Sequence, residues 1–187
     1  DMTFTLFTRP GCMKSEIIRC ILNEKSVEHR LLDVTTSQGC ETAEKVFGSQ
    51  LSPAIADKDA ILSDFDVIIE YIDERYPHPP LLPQGPHNRA TVRVFFKRLV
   101  SDLYPLHSNY VETRSNEAKQ ALQSQLDLLS GIIHTKQFLL SEEIGVADCT
   151  LMPVLHRVVN EDIDLPSPMG RYYQRLIERE AFSAVFL

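Results

Sequence analysis

The segment Tyr76-Pro77-His78-Pro79-Pro80-Leu81-Leu82-Pro83 places four prolines within seven residues. Each proline fixes φ and removes a backbone donor, so this stretch can be neither helix interior nor central strand. It holds Tyr76 and His78 on a stiff, exposed corner. Such a corner is either a linker between two domains or a presented recognition surface, and its rigidity allows both.

Before the corner, strand and helix alternate. Thr3 to Phe7 is a short β-branched and aromatic run, Pro10-Gly11 breaks it, and Ser15 to Glu24 carries Ile17, Ile18, Ile21 and Leu22 at helical spacing. Arg30 to Val34 reads as a second strand. A poorly defined segment containing Ala43 to Phe47 follows. Ala54 to Asp57 and Ala60 to Leu62 flank Lys58-Asp59 as a hairpin, and Asp64 to Arg75 puts Val67, Ile68, Tyr71 and Ile72 on one helical face. The order β-α-β-(α)-β-β-α predicts a small mixed sheet with helices against it.

After Pro83 only helical periodicity remains, over Asn88 to Tyr104, Glu117 to His134, Ala147 to Val159 and Arg171 to Arg179. Proline and Gly85 crowd residues 77–87 between the two patterns. The expected organisation is an α/β domain over 1–80 and an all-α domain over 81–187.

The net charge of −7 argues against direct nucleic-acid binding through the whole surface, because that affinity comes from Lys and Arg neutralising phosphates. A protein partner with a basic face suits it better. There is no run of about 18 apolar residues and no charged-then-apolar leader before the first strand, so no membrane association and a cytoplasmic location are expected. Cys12, Cys20, Cys40 and Cys149 lack paired metal spacing, and the six histidines do not cluster with them; neither a metal site nor a disulfide framework is suggested.

The β/α order followed by helices resembles the cytosolic glutathione transferase fold, which implies a thioredoxin-like α/β N-terminal domain joined to an all-α C-terminal helical domain. Phe7-Thr8-Arg9-Pro10-Gly11-Cys12-Met13-Lys14-Ser15 looks like the active-site turn of glutaredoxins and omega-type transferases. Ser52-Pro53 stands where that superfamily has its cis-proline, and Gly145-Val146-Ala147-Asp148 resembles the helix-start motif of the second domain. Within the fold, the string from Ile69 to Leu81 closely resembles a segment of the bacterial stringent starvation protein A family, as does Phe138-Leu139-Leu140-Ser141-Glu142 running into Val146-Ala147-Asp148-Cys149. That resemblance implies a homodimeric transcription regulator of the stress response. Its implied partners are RNA polymerase and its sigma factor, and it would use no cofactor and have lost the transferase chemistry.

Cys12 is expected at a helix N-terminus, where the dipole and the nearby Arg9 and Lys14 favour a thiolate. The spacing is Cys-x-x-Ser, so a dithiol mechanism is absent. An alternative function remains, a glutathione-dependent transferase or monothiol reductase using Cys12 with glutathione as cofactor; against it stands a small residue retained at an ancestral turn. Transferases of this fold hold the γ-glutamyl carboxylate with Glu or Gln followed by Ser. Asp64 and Phe65 occupy those positions here, and Phe65 removes the hydroxyl donor and puts a ring where the carboxylate would sit. Cys12, Ser52, Pro53, Asp64 and Phe65 therefore read as a degraded ligand site.

Arg89, Arg93 and Lys97 recur every four residues, while Asp66, Glu70, Asp73 and Glu74 make the preceding helix acidic. A solvated face is the ordinary meaning of such stripes. In the resembled fold these helices lie across the dimer axis from one another, so Asp66, Glu70, Arg89, Arg93 and Lys97 are expected dimer-interface residues. With Gly145 as N-cap, Asp148 falls at N3 and serves folding. Tyr76, Pro77, His78, Pro79 and Pro80 are left as the expected protein-contact site, since rigid aromatic and proline surfaces lose little entropy on binding.

Overall fold

The computed structural model describes residues 3–133 and 136–187 and divides into two compact units, Asp1–Pro79 and Pro80–Leu187. The first unit runs β1 (Phe4–Thr8), α1 (Met13–Glu24), β2 (His29–Asp33), α2 (Ser37–Phe47), β3 (Ala54–Asp57), β4 (Ala60–Leu62) and α3 (Phe65–Arg75). It is thioredoxin-like. The strand order is β2-β1-β3-β4, with β1 parallel to β2 and antiparallel to β3, and β3 antiparallel to β4. Leu6 sits between Leu31 and Ile55 in the register.

Central β1 is buried from Phe4 to Phe7, Thr5 included, as a strand covered on both faces must be. Ile17, Ile18, Ile21 and Leu22 of α1 and Ile68, Ile69 and Ile72 of α3 are buried in this core, and Ala43 and Phe47 of α2 pack with Phe7, Leu32 and Val34. The segment that sequence left undefined folds as α2, capped by the Thr36 hydroxyl accepting from the Gly39 amide at 3.0 Å and ended by Gly48 at φ 75°. Gly39 breaks helical propensity for a packing reason: a Cβ there would lie 1.7 Å from the Asp33 carbonyl oxygen.

The second unit is all-helical: α4 (Pro86–Arg98), a π-helical stretch (Leu99–Leu103), α5 (Tyr104–Thr113), α6 (Asn116–Ile133), α7 (Val146–Val159), α8 (Ser167–Ile177) and α9 (Glu180–Phe186). The expected stop at Tyr104 is not there. Pro105 cannot donate to the ladder, yet the chain widens into a π turn just before it, with the Tyr104 amide donating to the Leu99 carbonyl, and continues as α5. The helix expected over Arg171 to Arg179 starts earlier, at Ser167, because Pro168 falls in the first turn, where a missing donor costs nothing, and it ends at Ile177 with the further helix α9 after it. His134, the expected end of α6, lies outside the described residues. Helix α7 is buried continuously from Val146 to Leu155 and forms the centre of this unit. Among the described residues no helix is long and apolar enough to cross a membrane.

Candidate functional site

The corner is tied down by one side chain. The Lys25 ammonium donates to Asp73 Oδ1 at 2.8 Å, to the Tyr76 carbonyl at 2.7 Å and to the Pro79 carbonyl at 2.8 Å. The side chains of Lys25 and Asp73 are 0% and 8% exposed, so the pair is desolvated and removing one partner would leave an uncompensated buried charge. Pro77, His78, Pro79 and Pro80 stand exposed around this anchor, and the His78–Pro79 bond is cis. Asp73 therefore leaves the acidic face on which sequence placed it.

Tyr76 differs from the expectation of an exposed side chain. It is half-buried, its ring tilts against Phe4 at a centroid distance of 6.3 Å, and its hydroxyl donates to Asp57 Oδ2 at 3.4 Å. The Arg75 guanidinium covers its ring at 4.9 Å. Tyr76 holds the start of the corner against the sheet, while His78 is its presented side chain. Truncating Tyr76 is accordingly expected to cost roughly 1–2 kcal/mol, against about 0.5 kcal/mol or less at an exposed position.

Cys12 is the extended N-cap of α1 and half-buried, its amide donating to the Arg9 carbonyl at 3.2 Å. The turn before it passes through Gly11 at φ 80°, a left-handed conformation that glycine adopts without strain. Three residues on, the buried Ser15 hydroxyl lies 3.3 Å from that of Ser52, whose bond to Pro53 is cis. Asp64 caps α3, accepting from the Val67 amide at 3.1 Å. Phe65 turns its ring into the unit, buried, with the Lys14 ammonium 5.4 Å from its centroid. The starts of α1 and α3 and the Ser52-Pro53 loop thus converge, through Ser15–Ser52 and Lys14–Phe65, on a site that offers a half-exposed thiol and no hydroxyl at position 65. Cys20 is buried, which pushes its thiol well up.

Asp66 lies in the first turn of α3 and Glu70 is half-buried further along it. Arg93 and Lys97 are exposed on α4, with Arg89 half-buried. In the second unit a cavity of about 560 Å³ opens beside Pro80, Leu81, Leu82 and Pro83, with Ile144 and Val146 opposite. Its floor is fixed by the Val146 amide donating to the Leu81 carbonyl at 2.9 Å. A Cβ on Gly145 would come within 3.2 Å of that same oxygen. Asp148 accepts from the Gly145 amide at 2.8 Å and the Leu139 amide at 2.9 Å, and from the Tyr172 hydroxyl.

Sequence reasoning missed Lys25, Asp57 and the pair His107–Glu161, which meets at 2.9 Å inside the second unit. Nothing local marks these residues. Each meets partners far away in sequence, fifty-one residues for Lys25 and Tyr76 and fifty-four for His107 and Glu161, in contacts that only long-range packing creates.

The family "Glutathione S-transferase, N-terminal domain" matches residues 6–80. The chain is 28% identical to a stringent starvation protein A homolog of Coxiella burnetii, over 96% of this chain and 90% of that relative. It is 27% identical to glutathione S-transferase Z2 of Arabidopsis thaliana, over 88% and 82% of the two chains. A tau class glutathione S-transferase from mango, Mangifera indica, shares the fold with a TM-score of 0.83 at 22% identity, over 99% of this chain and 93% of that one. The chain is thus similar along nearly its whole length to stringent starvation protein A homologues, and its transferase-type first unit and all-helical second one have the glutathione transferase fold.

Proposed function

We propose that this protein is a cytoplasmic, homodimeric transcription regulator of the stress response that works by binding RNA polymerase, with the sigma factor as a further contact, and without transferase activity or cofactor. The observation that carries this reading is the corner itself, an exposed His78 between Pro77 and Pro79, anchored beneath by the buried Lys25. Interfaces draw most of their energy from a few preorganised anchors, and a side chain on a backbone that is already fixed loses little entropy on binding. The choice of partner is what the resemblance to the stringent starvation protein A family implies, a family whose homologues are similar to this chain along nearly its whole length. The test is capture of purified RNA polymerase, as core enzyme and as holoenzyme, by the immobilised full chain. Capture of both or of holoenzyme alone supports the reading, and capture of neither sinks it.

A second reading, a glutathione-dependent transferase or monothiol reductase, is favoured by the half-exposed Cys12 at the N-terminus of α1 and by the similarity to glutathione S-transferase Z2. Phe65 weighs against it, since glutathione's carboxylate would lose a hydroxyl donor there. The expected result is no saturable glutathione binding at millimolar concentration by calorimetry. Turnover of a standard electrophile that disappears in Cys12→Ser would favour the second reading instead.

A further inference from the structure

We infer that Lys25 is the positioning residue of the contact corner, standing in for backbone donors that the prolines remove. A chain reversal after Tyr76 would ordinarily be closed by the Tyr76 carbonyl accepting an amide three or four residues on. Those residues are Pro79 and Pro80, which have none. The Lys25 ammonium takes that place, donating at 2.7 Å to the Tyr76 carbonyl and at 2.8 Å to the Pro79 carbonyl, one on each side of Pro77-His78. Its third hydrogen goes to Asp73, so all three donors of the ammonium are used.

The anchor is itself fixed. Lys25 forms the C-cap of α1, its amide donating to the Ile21 carbonyl at 3.1 Å, and α1 is docked by the fully buried Ile17, Ile18, Ile21 and Leu22. His78 is thereby positioned by the core of the first unit and not by its own neighbours. A purely structural ion pair between Lys25 and Asp73 is the competing account, and the two differ in what survives when both charges are removed. A buried pair can often be replaced by apolar residues of similar volume with little loss of stability. That replacement would still leave the Tyr76 and Pro79 carbonyls without their donor.

The inference uses the contact reading above for what the corner does, while its geometric part is tested separately. The variants are Lys25→Met/Asp73→Leu, and Asp73→Asn, which keeps the ammonium and both carbonyl bonds. Order parameters of the His78 amide on ¹⁵N-labelled full chain report the corner, thermal melting reports the fold, and binding to RNA polymerase holoenzyme reports function. In the double variant the His78 order parameter should fall from about 0.85 to below about 0.6, with polymerase affinity down tenfold or more and the melting transition retained. Asp73→Asn leaves the buried ammonium without its counter-charge and should lower the melting temperature, but with both carbonyl bonds kept the folded variant should retain a rigid corner and an affinity within about twofold of wild type. A rigid His78 in the folded double variant, or a corner loosened as much by Asp73→Asn, overturns the inference and leaves the contact reading standing. A mobile corner with undiminished capture overturns the contact reading, and Lys25's part in binding with it. Should that double variant fail to fold, Lys25→Met/Asp73→Asn, which also removes both charges and the carbonyl donor, takes its place: a rigid His78 in it overturns the inference, and a mobile one supports it.

Discussion

The Tyr71 hydroxyl donates to Asp57 Oδ2 at 2.7 Å, and that buried carboxylate also receives the Tyr76 hydroxyl. Burial, then the hydrogen bond and charge of Asp57, push the Tyr71 phenol up to about 12; burial and Asp57 push Tyr76 in the same direction. Between the ordinary phenol value of 10.0 and about 12, the folded protein keeps a proton that the unfolded chain gives up. This contribution is therefore complete below pH 10 and lost as pH rises through about 12. The urea midpoint should fall over that window, and Tyr71→Phe should flatten the fall. An undiminished fall in the Phe variant contradicts the assignment.

Asp148 holds the second unit at the start of α7. Burial pushes its carboxyl up, opposed by bonds from Tyr172, Leu139 and Gly145. Asp148→Ala strands three donors in a buried setting, each costing about 1–3 kcal/mol, so a total loss of about 3 kcal/mol or more is expected. Tyr172→Phe removes one donor along with its bond and should cost about 1 kcal/mol. Urea unfolding of both variants checks the ranking, and an Ala variant within about 0.5 kcal/mol of wild type contradicts it.

Periodicity made the order of strands and helices along the chain legible, because Ile17, Ile18, Ile21 and Leu22 can only be one buried helical face. It failed where a residue breaks a local rule for a distant reason. Gly39 stands in the first turn of α2 because the Asp33 carbonyl lies against it, and Pro105 continues a helix because a π turn precedes it. At the corner, the prolines and His78 were legible from chain stiffness alone. The inward turn of Tyr76 toward Asp57 was not, since Asp57 lies nineteen residues earlier. Lys25 is separated by fifty-one residues from the Tyr76 carbonyl that it holds, beyond any local pattern.

The proposed dimer makes a charge-reversal experiment informative. Asp66 and Glu70 on α3 would face Arg89, Arg93 and Lys97 on α4 of a second copy. Reversing Arg93 and Lys97 to Glu should weaken the dimer tenfold or more, equivalent to about 1.4 kcal/mol, and reversing Asp66 and Glu70 to Lys in the same chain should restore it. Sedimentation equilibrium reads both. A wild-type monomer at micromolar concentration contradicts the interface.

The most direct measurement is the affinity of His78→Ala for RNA polymerase holoenzyme, taken beside its melting temperature. His78 is exposed, so stability should change by about 0.5 kcal/mol or less. As the presented anchor it should cost about 2 kcal/mol or more in binding, near thirtyfold in affinity. A folded His78→Ala protein that binds holoenzyme as tightly as wild type would contradict the contact-site account.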